Sequence, residues 1–309
     1  MNCQDQIYSE EYCDFIGNRS LIESKYTLDC KQPLGAMFAS LYLKLSDGYE
    51  DGTVYGYYNI PKLFGLQDTG SMESSGILQV RENSDLKLDG SGVLIGFVDT
   101  GIDYAGSIFL KQDGTTRVTA IWDQTIPAGS PIRLPVQPEL PETLENITRT
   151  PEGFLYGSEF THEQLNVAVK MADAYEGISS RDENGHGTFL ASIAAGNELP
   201  DGSFTGAAPK ADIAMVKLKP AKNRLRAYYQ IKEDAVAYQE NDIMAGVLYL
   251  VSLAKKRQQP LVICLGLGTN AGSHRGGLPL ARMLEELGSS VGITIVAGTG
   301  NETSRGHHF

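Results

Sequence analysis

Val93-Leu-Ile-Gly-Phe-Val-Asp99-Thr-Gly-Ile-Asp103 carries an unbroken apolar run into an acid, a hydroxyl and a glycine. A short β-forming run bounded by Gly92 and Asp99 has the build of a strand buried on both faces of a parallel sheet. Asp212–Leu218, Leu261–Leu267 and Gly292–Ala297 have the same build, each bounded by Gly, Pro or Asp. Helical stretches lie between them. In Asp242–Lys256 the residues Ile243, Val247, Val251 and Ala254 recur at helical spacing, and Leu278–Leu287 is a second amphipathic segment. Repeated strand–helix–strand units predict an α/β fold, a parallel sheet with helices on its faces.

Outward from this core the rhythm changes. Residues 104 to about 180 interrupt it, with a Pro-rich stretch over Ile126–Pro151 that reads as a surface insertion and a helix expected at His162–Ala174. Residues 1 to about 85 lack the strand–helix alternation and read as a separate N-terminal segment. The net charge of -12 and a pI near 4.9 argue against nucleic-acid binding, which needs a basic face. Apolar runs stay far below the ~20 residues of a membrane helix, so no membrane role is expected. The opening MNCQDQIYSEEYCDF lacks the pattern of a secretory signal. Cys3, Cys13, Cys30 and Cys264 form no ligand-like spacing. They read as reduced thiols of a cytosol-like compartment rather than a disulfide framework.

Chemistry gathers where the strands end. An acid directly after a buried β run, as at Asp99, is held rigidly enough to orient another group. In Asp182-Glu-Asn-Gly-His186-Gly-Thr-Phe-Leu-Ala-Ser-Ile-Ala-Ala-Gly196 a histidine opens a helix of small residues that can pack closely beneath a site. In Val296-Ala-Gly-Thr-Gly300-Asn301-Glu302 a strand breaks into glycines and presents an amide able to donate to a developing oxyanion.

Together these segments resemble the subtilase family, whose ordered motifs are an apolar run into Asp-Thr/Ser-Gly, then His-Gly-Thr, then Ala-Gly-Asn-Glu, then Gly-Thr-Ser. Gly206-Ala-Ala-Pro209 and Val262-Ile-Cys-Leu-Gly-Leu-Gly268 look like that family's connecting turn and cleft strand, and the resemblance covers about residues 90–301. The long gap between Asp99 and His186 is similar to that of clostridial germination-type subtilases. So are Ile121-Trp-Asp-Gln-Thr125, Tyr238-Gln-Glu-Asn-Asp-Ile243 and the ending His307-His308-Phe309.

The resemblance implies a subtilisin-like three-layer fold and a serine endopeptidase acting on protein or peptide substrates. No cofactor is expected, and no metal ligand set is read in the sequence, although many subtilases bind calcium. It also implies a bacterial setting, cytoplasmic or spore-associated. Residues 1–85 would be a prodomain-like segment with its linker, matching best at Ile60-Pro-Lys-Leu-Phe-Gly65, and 86–309 the N-terminal part of the catalytic domain. Asp99 would hold the imidazole, His186 would serve as general base then acid, and Asn301 as oxyanion donor. Leu265, Gly266, Leu267 and Gly268 would line the substrate cleft, with Gly298 and Gly300 on its wall. Phe189 departs from the second histidine common in His-Gly-Thr-His, which is expected to change packing rather than chemistry.

None of Ser192, Ser203, Ser252, Ser273, Ser289, Ser290 or Ser304 stands in Gly-Thr-Ser-x-Ala/Met. Family order is Asp, His, Ser, so the chain is expected to stop before its nucleophile and to be inactive alone. The alternative is a non-catalytic relative that binds a partner or signal. Two other readings fit less well. Asp68-Thr-Gly echoes Asp99-Thr-Gly as aspartic proteases do, but Asp68 follows no β run. Gly266-Leu-Gly-Thr-Asn-Ala-Gly272 has the wrong spacing for a dinucleotide loop.

Overall fold

A computed structural model describes residues 2–25, 30–44, 59–66, 88–135, 147–272 and 276–300. The N-terminal segment runs through α1 (Cys3–Tyr8), β1 (Tyr12–Asn18), α2 (Arg19–Lys25), β2 (Lys31–Leu34) and β3 (Phe38–Lys44), its strands antiparallel in the order β1-β3-β2. A short strand, β4 (Leu63–Leu66), follows. The larger body begins with β5 (Leu94–Asp99), β6 (Val118–Asp123), β7 (Ser158–Thr161), α3 (His162–Ala168), α4 (Ala174–Gly177) and α5 (His186–Ala195). It continues through β8 (Asp212–Lys217), α6 (Asn223–Tyr228), β9 (Tyr238–Gln239) and α7 (Glu240–Arg257). β10 (Leu261–Leu265), β11 (Leu267–Gly268), α8 (Pro279–Gly288) and β12 (Ile293–Ala297) complete it.

The central sheet has the order β12-β10-β5-β8-β6-β7, parallel throughout except for the antiparallel edge strand β7. Alternation along each strand divides the core in two. Leu94, Val98, Ala214, Val216, Leu261 and Ile263 point to one face, where Ile243, Val247, Leu250 and Met283 of α7 and α8 cover them. Ile95, Phe97, Val118, Ile121, Ile213 and Met215 point to the other, under Leu165 of α3 and Leu190, Ala191 and Ala195 of α5. The result is three layers, with each fully buried Leu, Ile or Phe contributing about 1.5–3 kcal/mol of transfer free energy. Gly96 lets α7 settle on the sheet, since a Cβ there would lie 2.7 Å from Leu250 Cδ1.

Three sequence expectations need correcting. Residues 104–180 are more than an insertion, because Val118–Asp123 is a fully buried strand of the central sheet. Its Trp122 donates Nε1–H to Tyr156 O (3.1 Å) and packs among Phe154, Tyr156 and Tyr249. The helix expected at His162–Ala174 ends at Ala168, and Asp173 caps a separate turn by accepting the Tyr175 N–H (2.8 Å). The thiols are not all reduced. Cys3 and Cys30, with Cα atoms 5.1 Å apart, are joined in a disulfide, because the fold lays α1 beside the start of β2. Cys13 and Cys264 are free.

The N-terminal sheet docks on the body through buried polar groups. Asp14 of β1 accepts from Lys222 Nζ, Gln239 Nε2 (2.9 Å) and Asn241 Nδ2 (3.1 Å). Beside it Lys219 pairs with Asp242 at 2.7 Å, and Tyr156 donates its hydroxyl to the same carboxylate. Burial pulls the Lys219 ammonium down, but the Asp242 and Asp14 charges outweigh it and hold the pKa above its ordinary value.

Candidate active site

β5, β8 and β10 are parallel, so their C-terminal ends meet on one edge of the sheet, where ligands of such folds bind. Asp99 is the last residue of β5, buried to 1% exposure. His186 is the first residue of α5, entered through Gly185 in the left-handed region (φ 87°). His186 Nδ1 lies 2.8 Å from Asp99 Oδ1, with the imidazole 14% exposed. The carboxylate can only accept here, so the proton belongs on Nδ1 and Nε2 of the neutral ring is an acceptor. The Thr100 N–H also donates to Asp99 Oδ1 (2.7 Å), while Oδ2 is buried without a hydrogen bond among the described residues.

Asp182 ties the two halves of this pair together. It accepts from the Thr100 hydroxyl (2.7 Å), the Gly185 N–H (2.9 Å), and both the N–H (2.8 Å) and hydroxyl (2.6 Å) of Thr188. Thr100 Oγ1 in turn accepts the Gly187 N–H at 2.9 Å. Burial pushes the Asp182 carboxyl up, but these donors outweigh it and hold its pKa below the ordinary value. The first turn of α5 and the end of β5 are thus one hydrogen-bonded unit.

Close approach makes the unit possible. A Cβ on Gly187 would sit 2.2 Å from Gly101 O and 3.2 Å from Asp99 Cβ. The clash is with backbone, which cannot swing aside. Gly187→Ala should therefore push α5 from β5, cost about 1–3 kcal/mol in urea unfolding and break the Asp99–His186 contact. A variant of unchanged stability whose downfield imidazole N–H proton signal persists would show that the helix has room to spare.

Gly266 occupies the gap between β10 and β11, and a Cβ there would come within 3.1 Å of His186 Cε1 and 3.2 Å of Asp99 Oδ2. It also ends the strand expected to run unbroken from Leu261 to Leu267. Leu265 closes β10 in the central sheet, and Leu267 and Gly268 turn away to form β11 in a second, small sheet. Gly298 donates its N–H to Leu265 O (3.2 Å), and Gly300 (φ 96°) follows close behind on the same edge. The fold therefore brings Asp99, His186, Leu265–Gly268, Gly298 and Gly300 to one edge of the sheet. Asn301, Ser273, Ser304 and the His307-His308 pair lie outside the described residues. Phe189, one turn along α5, is 48% exposed, so it packs only lightly there.

The small sheet has the order β11-β4-β9. β4 pairs antiparallel with β11 through Leu66↔Leu267 and Gly65↔Gly268, and with β9 through Leu63↔Gln239 and Phe64↔Tyr238. β9 and β11 are the walls of a groove that starts beside His186, and a strand from the N-terminal segment fills it. Tyr238–Ile243, part of the resemblance to germination-type subtilases, thus supplies one wall. The strand that fills the groove overlaps Ile60–Gly65, the stretch where the N-terminal segment's resemblance is best.

Several other nucleophilic side chains of the described residues are committed elsewhere. Burial, and then the nearby Asp99 charge, push the Cys264 thiol up to about 11, so it is no thiolate at neutral pH. Ser192, Ser203 and Ser289 donate their hydroxyls to Thr188 O, Asp201 Oδ1 and Glu285 O. Among the described residues no group of three or more His, Cys, Asp and Glu side chains could hold a metal ion.

Residues 90–308 match the Subtilase family. Subtilisin-like protease SBT3.8 of Arabidopsis thaliana is 31% identical over 144 residues, 41% of this chain and 16% of that protein. SBT3.3 of the same plant is 26% identical over 166 residues, 51% of this chain and 19% of the relative. Among solved structures, the Clostridium perfringens CspB protease is similar with a TM-score of 0.54 and 30% identity. The match covers 73% of this chain and 39% of that one. The chain thus spans under a fifth of the length of these curated relatives.

Proposed function

This chain belongs to the subtilase family, and from that premise we propose that the complete protein is a serine endopeptidase whose Asp99 and His186 are two members of the catalytic triad. The observation that carries this reading is the 2.8 Å contact between a buried strand-end carboxylate and a helix-opening imidazole. Asp99 fixes the tautomer and stabilises the imidazolium, and His186 takes the nucleophile's proton and returns it to the leaving amine. Asn301 is assigned as oxyanion donor. The β9–β11 groove, with Leu265–Gly268, Gly298 and Gly300 at its His186 end, binds protein or peptide substrate as an added strand.

Residues 1 to about 85 take the part of a prodomain, with Leu63–Leu66 lying where substrate would lie. The nucleophile is assigned to a serine in a Gly-Thr-Ser setting outside residues 1–309, because no serine after His186 in this chain has that setting.

A serine-directed phosphonate tests the assignment. The complete protein should be labelled on one serine, and His186→Ala should abolish the labelling. The 309-residue chain should remain unlabelled. Labelling of that chain at one of its own serines, dependent on His186, would overturn the nucleophile assignment. A complete protein that never labels would favour a non-catalytic binding role.

A further inference from the structure

We propose that Glu240 is a substrate-positioning residue that clamps the backbone of a groove-bound peptide beyond the β9–β11 walls, so that the groove selects long extended segments. The inference rests on the groove reading above and adds an anchor at its far end. β4 runs antiparallel to β11, with Leu66 nearest His186 and Lys62 just before its opposite end. Four strand residues place the two about 13 Å apart. At Lys62 the two walls have given out, yet its backbone is still fully engaged. Its N–H donates to Glu240 Oε2 (3.1 Å), and its carbonyl accepts the Glu240 N–H (2.8 Å).

The other half of the Glu240 carboxylate belongs to the fold. Oε1 accepts the Leu280 N–H (3.1 Å) in the first turn of α8, where the helix end is electropositive. One oxygen is therefore anchored on α8, which aims the second into the groove before any strand arrives. Glu240 itself opens α7 and is wholly buried. Burial pushes its pKa up, and the Leu280 and Lys62 amides and the Lys62 ammonium act against that. Its hydrogen bonds to the guest strand go to main-chain atoms, so the clamp reads length and extension, and the Lys62 ammonium adds an electrostatic attraction to the same carboxylate. A peptide ending at the position of Leu63 would leave one carboxylate oxygen buried without its donor, which is the source of the selectivity.

The test uses the full chain carrying Phe64→Asp, which places a charge where Phe64 packs against the core and so empties the groove. Two capped peptides are titrated by fluorescence anisotropy, one covering residues 60–66 and one covering 63–66. An analogue of the longer peptide carries an ester in place of the Lys62 amide. A hydrogen bond to a charged group predicts that the ester weakens binding by about 10- to 100-fold. In Glu240→Ala the same ester should cost under about twofold, because its partner is already gone.

Glu240→Ala should also weaken the longer peptide while leaving the shorter one unchanged, which controls for misfolding. An ester penalty that persists without Glu240, or equal losses for both peptides, would overturn the clamp and leave the groove standing. Failure of both peptides to bind the emptied groove would overturn the groove reading and the clamp with it.

Discussion

In the complete protein, His186→Ala should lower kcat by at least about 10⁴-fold while KM stays within a few-fold, as expected for a group that acts only in the transition state. The reasoning starts at Asp99, whose 1% exposure and strand-end position leave its carboxylate little freedom to turn. Because Asp99 accepts at Nδ1, the basic lone pair sits on Nε2 of a side chain that is 14% exposed. Removing the imidazole removes both the base and the later acid. Asp99→Asn should approach the same loss, about 10⁴-fold, by a different route. The amide can turn an N–H toward Nδ1, which forces the proton onto Nε2 and presents the wrong tautomer. Steady-state hydrolysis of a chromogenic peptide, with active-site titration to correct for folded fraction, decides the matter. Less than a tenfold loss for His186→Ala would place the base elsewhere.

The second large effect is expected far from the site. Asp14→Ala should destabilise the protein by about 3–5 kcal/mol, the usual result of leaving one partner of a buried ion pair uncompensated. Lys222 is 6% exposed and would lose its counter-charge, and the Gln239 and Asn241 amides would lose an acceptor. Lys219 would also lose part of the negative field that keeps it charged. The double change Asp14→Leu with Lys222→Met should recover most of the loss, since removing both charges spares their desolvation. Urea denaturation followed by fluorescence of Trp122 measures both. A loss under about 1 kcal/mol for Asp14→Ala would mean that water reaches Lys222 once the carboxylate is gone.

Much of this was legible in the sequence, and the reasons differ by element. The strands at Leu94 and Asp212 announce themselves because burial on both faces demands unbroken apolar runs, whereas Ile293–Ala297, expected to be buried in the same way, carries its apolar run as a half-exposed edge strand. Asp99 and His186 were legible because a strand end and a helix start each restrict what can stand there. Val118–Asp123 was not, since its run is broken by Thr119 and lies next to a Pro-rich stretch. The Cys3–Cys30 bridge depends on where α1 is carried by the fold, and sequence separation says nothing about that. The groove was only half visible. β9 and β11 are each two residues long, too short for any periodicity, and they become strands only because β4 lies between them. Glu240 looked like an ordinary acid in the first turn of a helix, and only the register of a distant segment gives its second oxygen a use.

The placement of β4 between β9 and β11 also sets a threshold for competition. The strand that fills the groove is covalently joined to the body, so its supply is fixed by the tether and not by how much protein is in the tube. Tethers of modest length give local concentrations of order millimolar. A free peptide of equal intrinsic affinity would reach half-occupancy only near that concentration, however tightly it bound an emptied groove. Cutting the chain anywhere between Leu66 and Leu94 would turn that fixed local supply into an ordinary dissociation equilibrium. Dilution alone would then begin to open the groove.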